Sequence, residues 1–331
     1  MFIQAFGTTL GAILELAFLG AIGFFLVKRH IVTEAGLKTL SDLVIGLFLP
    51  FFMFSEITKR FSFDLYPDWW VLPLLSFLIT SVGYLCGLLA MPLDKKLSFY
   101  RGEFLGITSF QNSGYLPLPL VATLLPKEMA QEMYILIFLF LLGFNMTIFS
   151  VGLMLLSPQK TKKFDLRHIF NGPVIATLLA LLLVALKIGE HLPKIISNPV
   201  DILGRCAIPL SILVVGGNLA VLQCKIVSYV RPMIYGLVIK LALLPLIFIA
   251  FVYFVRPSPL VGLLLVLQAA MPPAALLSVI SRAQVVTFCT KDMIATSSGD
   301  SPAFRKSLTI AINSSALKKF LRSTAPCASI Q

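Results

Sequence analysis

Long apolar runs separated by short polar, mostly basic breaks dominate the chain. Runs of about 20 residues read as bilayer-spanning helices. They fall near Phe6–Val27, Leu37–Phe54, Trp69–Met91, Tyr100–Leu124, Met133–Leu156, Gly172–Ile188, Ile195–Leu222, Tyr229–Val255 and Leu260–Ser281. The fourth run holds a stretch that cannot stay helical: Phe110–Leu120, FQNSGYLPLPL. Gly114 is costly inside a helix, and Pro117 and Pro119 each remove a backbone donor and crowd the preceding turn. Lipid offers no partner for freed N–H and C=O groups, so such a break needs protein or a wet cavity around it. Pro272 and Pro273 predict the same break in the ninth run.

Composition agrees. The 331 residues are 58% hydrophobic and 13% charged, with a mean hydropathy of +0.93, which predicts an all-α, many-span membrane protein. The net charge of +12 fits basic loops on one membrane side rather than a nucleic-acid surface, because no basic stretch is interleaved with stacking aromatics. Alternate loops carry Lys28, Arg29 and Lys38; Lys95, Lys96 and Arg101; Lys160, Lys162, Lys163 and Arg167; Lys225 and Arg231. The opposite loops hold only Lys59, Arg60, Lys127, Lys187, Lys194 and Arg256. The richer set predicts the cytoplasmic side and an external N-terminus. No Lys or Arg precedes the first run, which argues against a cleaved leader. Cys86, Cys206, Cys224, Cys289 and Cys327 form no C-x-x-C pair and read as small buried hydrophobes.

The halves are related by an offset of 159 residues. Asp42 precedes Pro50 by eight positions, and Asp201 precedes Pro209 by eight; Pro73 maps onto Pro232, and Ser113-Gly114 onto Pro272-Pro273. An odd number of spans per copy would invert the second copy relative to the first. The predicted domains are a first five-helix repeat (1–156), a basic cytoplasmic loop (157–171), a second repeat lacking its last helix (172–281) and a polar basic tail (282–331). The counterpart of the fifth span would fall near 292–315. That stretch is too polar to cross, so about nine spans are expected, with the tail disordered or derived from a shifted reading frame.

FLPFFMFSEI (48–57), QNSGYLPLPL (111–120), IPLSILVVGGNLA (208–220) and LVLQAAMPPAALLSV (265–279) together resemble the auxin efflux carrier family of membrane permeases. Its bacterial members are malate- and malonate-type carboxylate permeases of the inner membrane. The resemblance covers about residues 8–282. It implies two inverted five-helix repeats and a scaffold of the first, second, sixth and seventh spans. Broken fourth and ninth spans would cross beside the substrate, and transport would need no ATP. Gln268 and the Pro272-Pro273 pair depart from members carrying Asn in the ninth helix, and the missing tenth helix belongs to the moving unit.

Candidate site residues follow from the breaks. Asn112 can donate to a carboxylate or accept from a substrate hydroxyl, or it bonds only its own loop. Gln111, Ser113, Gly114 and Tyr115 adjoin it; freed N–H groups near Gly114 would meet an anion at the positive end of the following half-helix. Pro117 breaks the helix, and Pro50 and Pro209 kink the scaffold spans. Gln268, one turn before Pro272 and Pro273, faces the crossing or bonds a neighbouring helix. Ionisable groups inside spans are costly and often functional: Glu15 and Lys240 are candidates for coupling or for meeting substrate charge. Asp201 and Arg205, one helical turn apart, read as a structural pair. Gly83-x-x-x-Gly87, Gly216 and Gly217 read as close helix contacts.

Enzyme chemistry finds no motif. His30, His168 and His191 fall at span ends or in loops, and H-E-x-x-H, G-x-x-x-x-G-K and G-x-S-x-G are absent. The expectation is a secondary transporter of small organic anions such as dicarboxylates, working by alternating access, with no cofactor or metal. The alternatives are an auxin-like weak-acid facilitator and a truncated, non-transporting receptor. Expected partners are the anion, H+ or Na+, the lipid bilayer and a second copy in a homodimer.

Overall fold

A computed structural model describes residues 2–94, 97, 101–152, 155, 170–221 and 230–274. Most of the basic loop at 157–171, the last part of the ninth run and the tail at 282–331 lie outside the described residues. The elements are α1 (Phe2–Lys28), α2 (Glu34–Arg60), α3 (Val71–Leu93), α4 (Arg101–Ser109), α5 (Pro117–Leu124), α6 (Lys127–Gly152), α7 (Gly172–Ala185), α8 (Lys194–Val221), α9 (230–255) and α10 (Pro259–Ala270). Five stretches, α2, α3, α6, α8 and Met233–Val255 of α9, are long and apolar enough to cross a membrane. Among the described residues there is no β-strand, only one isolated antiparallel bridge.

Local sequence sets the ends and bends. Thr33 caps α2 by accepting from Gly36 N–H at 3.1 Å, and Asn171 caps α7 by accepting from Val174 N–H at 3.1 Å. Prolines inside long helices leave distinct marks. Pro50 follows a π-helical turn at Val44–Phe48, and Pro245 follows another at Ile239–Leu243. A wider turn absorbs the missing donor and relieves the clash with the carbonyl one turn back. Pro209 is preceded by a one-residue gap in the α-helical ladder at Cys206, between Lys194–Arg205 and Ala207–Val221, where the backbone stays right-handed helical. Pro50 in α2 thus follows a widened turn, and Pro209 in α8 follows a single interrupted residue.

α6 is the hub. Every residue from Met133 to Phe144 is buried, as expected of a helix that is apolar on all sides. Phe52 and Tyr134 meet edge-on at 5.2 Å between ring centroids, and Phe52 and Phe138 at 5.4 Å, joining α2 to α6. α1, α2, α7 and α8 pack on one another, while α3, α4, α6, α9 and α10 form a second group; α2 and α7 also touch α6. The outer faces are apolar: Leu14, Phe18 and Leu246 are all well exposed, whereas Gln111, Lys240 and Gln268 are fully buried. That inside-out pattern suits a lipid surround.

Small residues permit the closest approaches. A Cβ on Gly216 would collide with the Gly20 carbonyl of α1, and one on Gly23 with the Leu213 backbone of α8. Gly83 and Gly87 admit the Thr108 carbonyl and hydroxyl of α4 in the same way, and Gly143 admits the Pro73 backbone of α3. Asp201 receives three partners: Lys59 Nζ at 2.8 Å, Arg205 at 2.7 Å and the Ser55 hydroxyl at 3.0 Å. The Asp201–Arg205 pair therefore extends across to α2. Gly216→Val is expected to cost about 1–3 kcal/mol by forcing α1 from α8, read as a lowered melting temperature of the detergent-purified protein.

Candidate functional site

The fourth run is broken between α4 and α5, over residues 110–116, and α10 ends at Ala270. The two breaks lie against each other. Asn112 N–H donates to the Pro272 carbonyl at 2.8 Å, and Ala274 N–H donates to the Phe110 carbonyl at 3.0 Å. Gln111 and Pro273 thereby face each other as an antiparallel pair. Two segments barred from helix by Gly114, Pro272 and Pro273 satisfy part of each other's backbone, the condition for irregular chain at membrane depth. Pro273, which has no N–H, occupies the position where the bridge asks for none.

The side chains divide sharply. Buried hydroxyls elsewhere have partners: Ser55 donates across to Asp201, and others close within their own helices, Ser76 donating to Pro73 C=O, Thr80 to Ser76 C=O, Thr147 to Gly143 C=O and Thr177 to Pro173 C=O. Among the described residues, the buried side-chain atoms lacking any partner are Ser109 Oγ, Gln111 Nε2, Ser113 Oγ and Gln268 Oε1. All four belong to residues at the crossing. Leaving such atoms unpaired costs about 1–3 kcal/mol each, so their concentration marks a place built for something other than stability.

Lys240 lies in the π-helical turn of α9 with 0% of its surface exposed. Its Nζ donates to the Thr108 carbonyl at 3.3 Å and to Gln111 Oε1 at 3.4 Å. Thr108 sits in the last turn of α4, where carbonyls lack helical partners and the dipole is negative. No carboxylate pairs with Lys240 among the described residues. Gln268 Nε2 donates to the Ser113 carbonyl at 3.4 Å, so the glutamine faces the crossing.

Asn112 Oδ1 accepts from Tyr115 N–H at 3.1 Å, the own-loop bond, and its Nδ2 has no further partner among the described residues. Tyr115 turns its hydroxyl away from the crossing, to Ser41 Oγ at 3.1 Å and the Ser41 carbonyl at 3.3 Å. It ties the broken loop to α2. Pro117 opens α5 at a position where its missing N–H costs nothing. The Leu120 N–H is already spent on Leu116 C=O, and Pro119 has none, so α5 brings few backbone donors to an anion.

The structure brings Gln111, Asn112, Ser113, Gln268, Pro272, Pro273 and Lys240 together. It does not bring Glu15, which lies exposed on α1, a helix packed on α8 and α5. Pro50 and Pro209 stay with helix bending. Sequence reading missed Ser109, Ser41 and the Thr108 carbonyl. Ser109 precedes the broken stretch by one residue, and that was its only signal.

Broken helices meeting inside an apolar bundle, with polar groups held open at the meeting point, define the class as membrane transporters. Comparison with known proteins places the chain more closely. Residues 8–288 match the family described as membrane transport protein. The chain is 26% identical to Protein PIN-LIKES 1 of Arabidopsis thaliana, across 79% of this chain and 69% of that protein. It is 32% identical to Protein PIN-LIKES 2 of the same plant over a shorter stretch, 34% of this chain and 25% of that one. The chain belongs to the membrane transport protein family of auxin efflux carriers and is a multi-pass integral membrane protein.

Removing the buried charge tests the cost of the site. Lys240→Met is expected to raise the melting temperature in detergent, because a buried amine with no carboxylate partner among the described residues is replaced by a hydrophobe. A fall of several degrees would mean that Lys240 is kept for stability.

Proposed function

We propose that the chain is a secondary carrier that moves a small organic anion, dicarboxylates foremost, by alternating access. Asn112, Gln111, Ser113, Gly114, Gln268, Pro272 and Pro273 surround the anion, with Lys240 supplying positive charge and Tyr115 anchoring the loop to Ser41 from outside the site. The observation that carries this reading is the cluster of unpaired polar atoms beside a buried lysine where the two breaks pair. Anions are the ligands that fit, because the lysine has no carboxylate partner among the described residues and Gln111 Nε2 offers an open donor.

Two inverted repeats underlie the reading. It is supported by the 159-residue offset, which relates Ser113-Gly114 to Pro272-Pro273, the segments that lie against each other. The group α1, α2, α7 and α8 serves as the frame, and the group carrying the crossing moves against it. The N-terminus faces outward on the loop-charge argument. With no nucleotide motif, uphill movement draws on an ion or substrate gradient. A weak-acid monoanion of the auxin type is the second reading, favoured by the single described cation at the crossing.

Uptake of labelled malate and malonate into proteoliposomes tests this. Flux above protein-free vesicles is expected, falling about tenfold or more in Asn112→Ala as the free amide is lost. Absent flux would favour a non-transporting receptor. Flux unchanged by Asn112→Ala would remove that residue from the site.

A further inference from the structure

The two glutamines at the crossing present opposite free ends, and chemistry fixes which end is free. Lys240 Nζ donates to Gln111 Oε1, which leaves Nε2 open. A carbonyl only accepts, so the Gln268 atom facing Ser113 C=O must be Nε2, leaving Oε1 open. Flipping Gln268 would set its carbonyl oxygen against that of Ser113. Both residues have 0% exposure, so bulk water does not reach these ends.

The site therefore offers an open donor, Gln111 Nε2, an open acceptor, Gln268 Oε1, and two hydroxyls, Ser109 and Ser113, able to act either way. A bare carboxylate has acceptors only. It answers Gln111, the hydroxyls and Lys240, but it leaves Gln268 Oε1 buried and unpaired. Completing the set needs a ligand that also carries a hydrogen-bond donor.

On this basis, and resting on the transport reading above, we infer that Gln268 is a specificity-determining residue: its Oε1 reads a hydroxyl or N–H borne beside the substrate's carboxylate, so the carrier selects hydroxy acids over their plain counterparts. Sites that bond a ligand hydroxyl discriminate strongly against the analogue lacking it, because the site's own polar group is then stranded. Gln111, whose open end donates, grips the carboxylate common to both.

The test is binding to the full chain in detergent, by calorimetry, with two acid pairs that differ by one hydroxyl: malate against succinate, and lactate against propionate. The expected result is tighter binding of the hydroxy acid in at least one pair, by about tenfold. In Gln268→Met the ratio should fall to about one because the hydroxy acid loses more affinity than the plain acid, and in Gln111→Met both members of the pair should weaken together with the ratio kept. Equal affinities within both pairs for the unsubstituted protein overturn the inference and leave the anion-carrier reading standing; this arm depends on no variant folding. A ratio that survives Gln268→Met removes Gln268 from the role. Absence of binding by all four acids overturns the carrier reading itself, and this inference with it.

Discussion

Peptide groups inside a bilayer have no solvent to fall back on, and the rest of this structure follows from that. A helix that breaks there must find a partner for what it exposes. Here two breaks find each other, through Asn112 to Pro272 and Ala274 to Phe110. Each alone would be a defect; paired, they make a fixed point around which Gln111, Ser113 and Gln268 are held without conventional helical neighbours. α6, buried on every side through its middle, backs this point with Phe144 against Phe110.

The site carries its own energetic signature. Most buried serines and threonines in the spanning helices are quieted by carbonyls one turn back, so they cost little and do little. The crossing departs from that rule: among the described residues it keeps polar atoms open and a lysine buried with two long bonds to neutral acceptors. Proteins hold such arrangements where binding needs them and offset the loss elsewhere, here by the close glycine contacts of α1 with α8 and of α3 with α4.

Much of this was legible in the sequence because the signals are local. Pro117, Pro119, Gly114, Pro272 and Pro273 cannot sit inside regular helix, and the basic breaks between apolar runs gave nearly every element within a few residues. The 159-residue offset related segments that the fold sets side by side. What lay beyond the sequence depends on rotation about a helix axis. Glu15 and Lys240 looked equivalent, each an ionisable group in the middle of a span. Only packing exposes the one on α1 and directs the other, in its π-helical turn, to Thr108 and Gln111. Tyr115 likewise looked like a site residue, yet its hydroxyl reaches away to Ser41 on α2.

The pairing of the two breaks is open to direct measurement. Gln111 and Pro273 oppose each other between flanking hydrogen bonds, the narrow kind of antiparallel pair, with Cα atoms about 4.5 Å apart, within reach of a disulfide. In a background with the native cysteines replaced, Gln111→Cys combined with Pro273→Cys should cross-link under mild oxidation in the membrane. Control pairs shifted to Glu15 or Tyr253 should not. Failure of the 111–273 pair to form, with both thiols shown to be present and reactive, would contradict a crossing at this point.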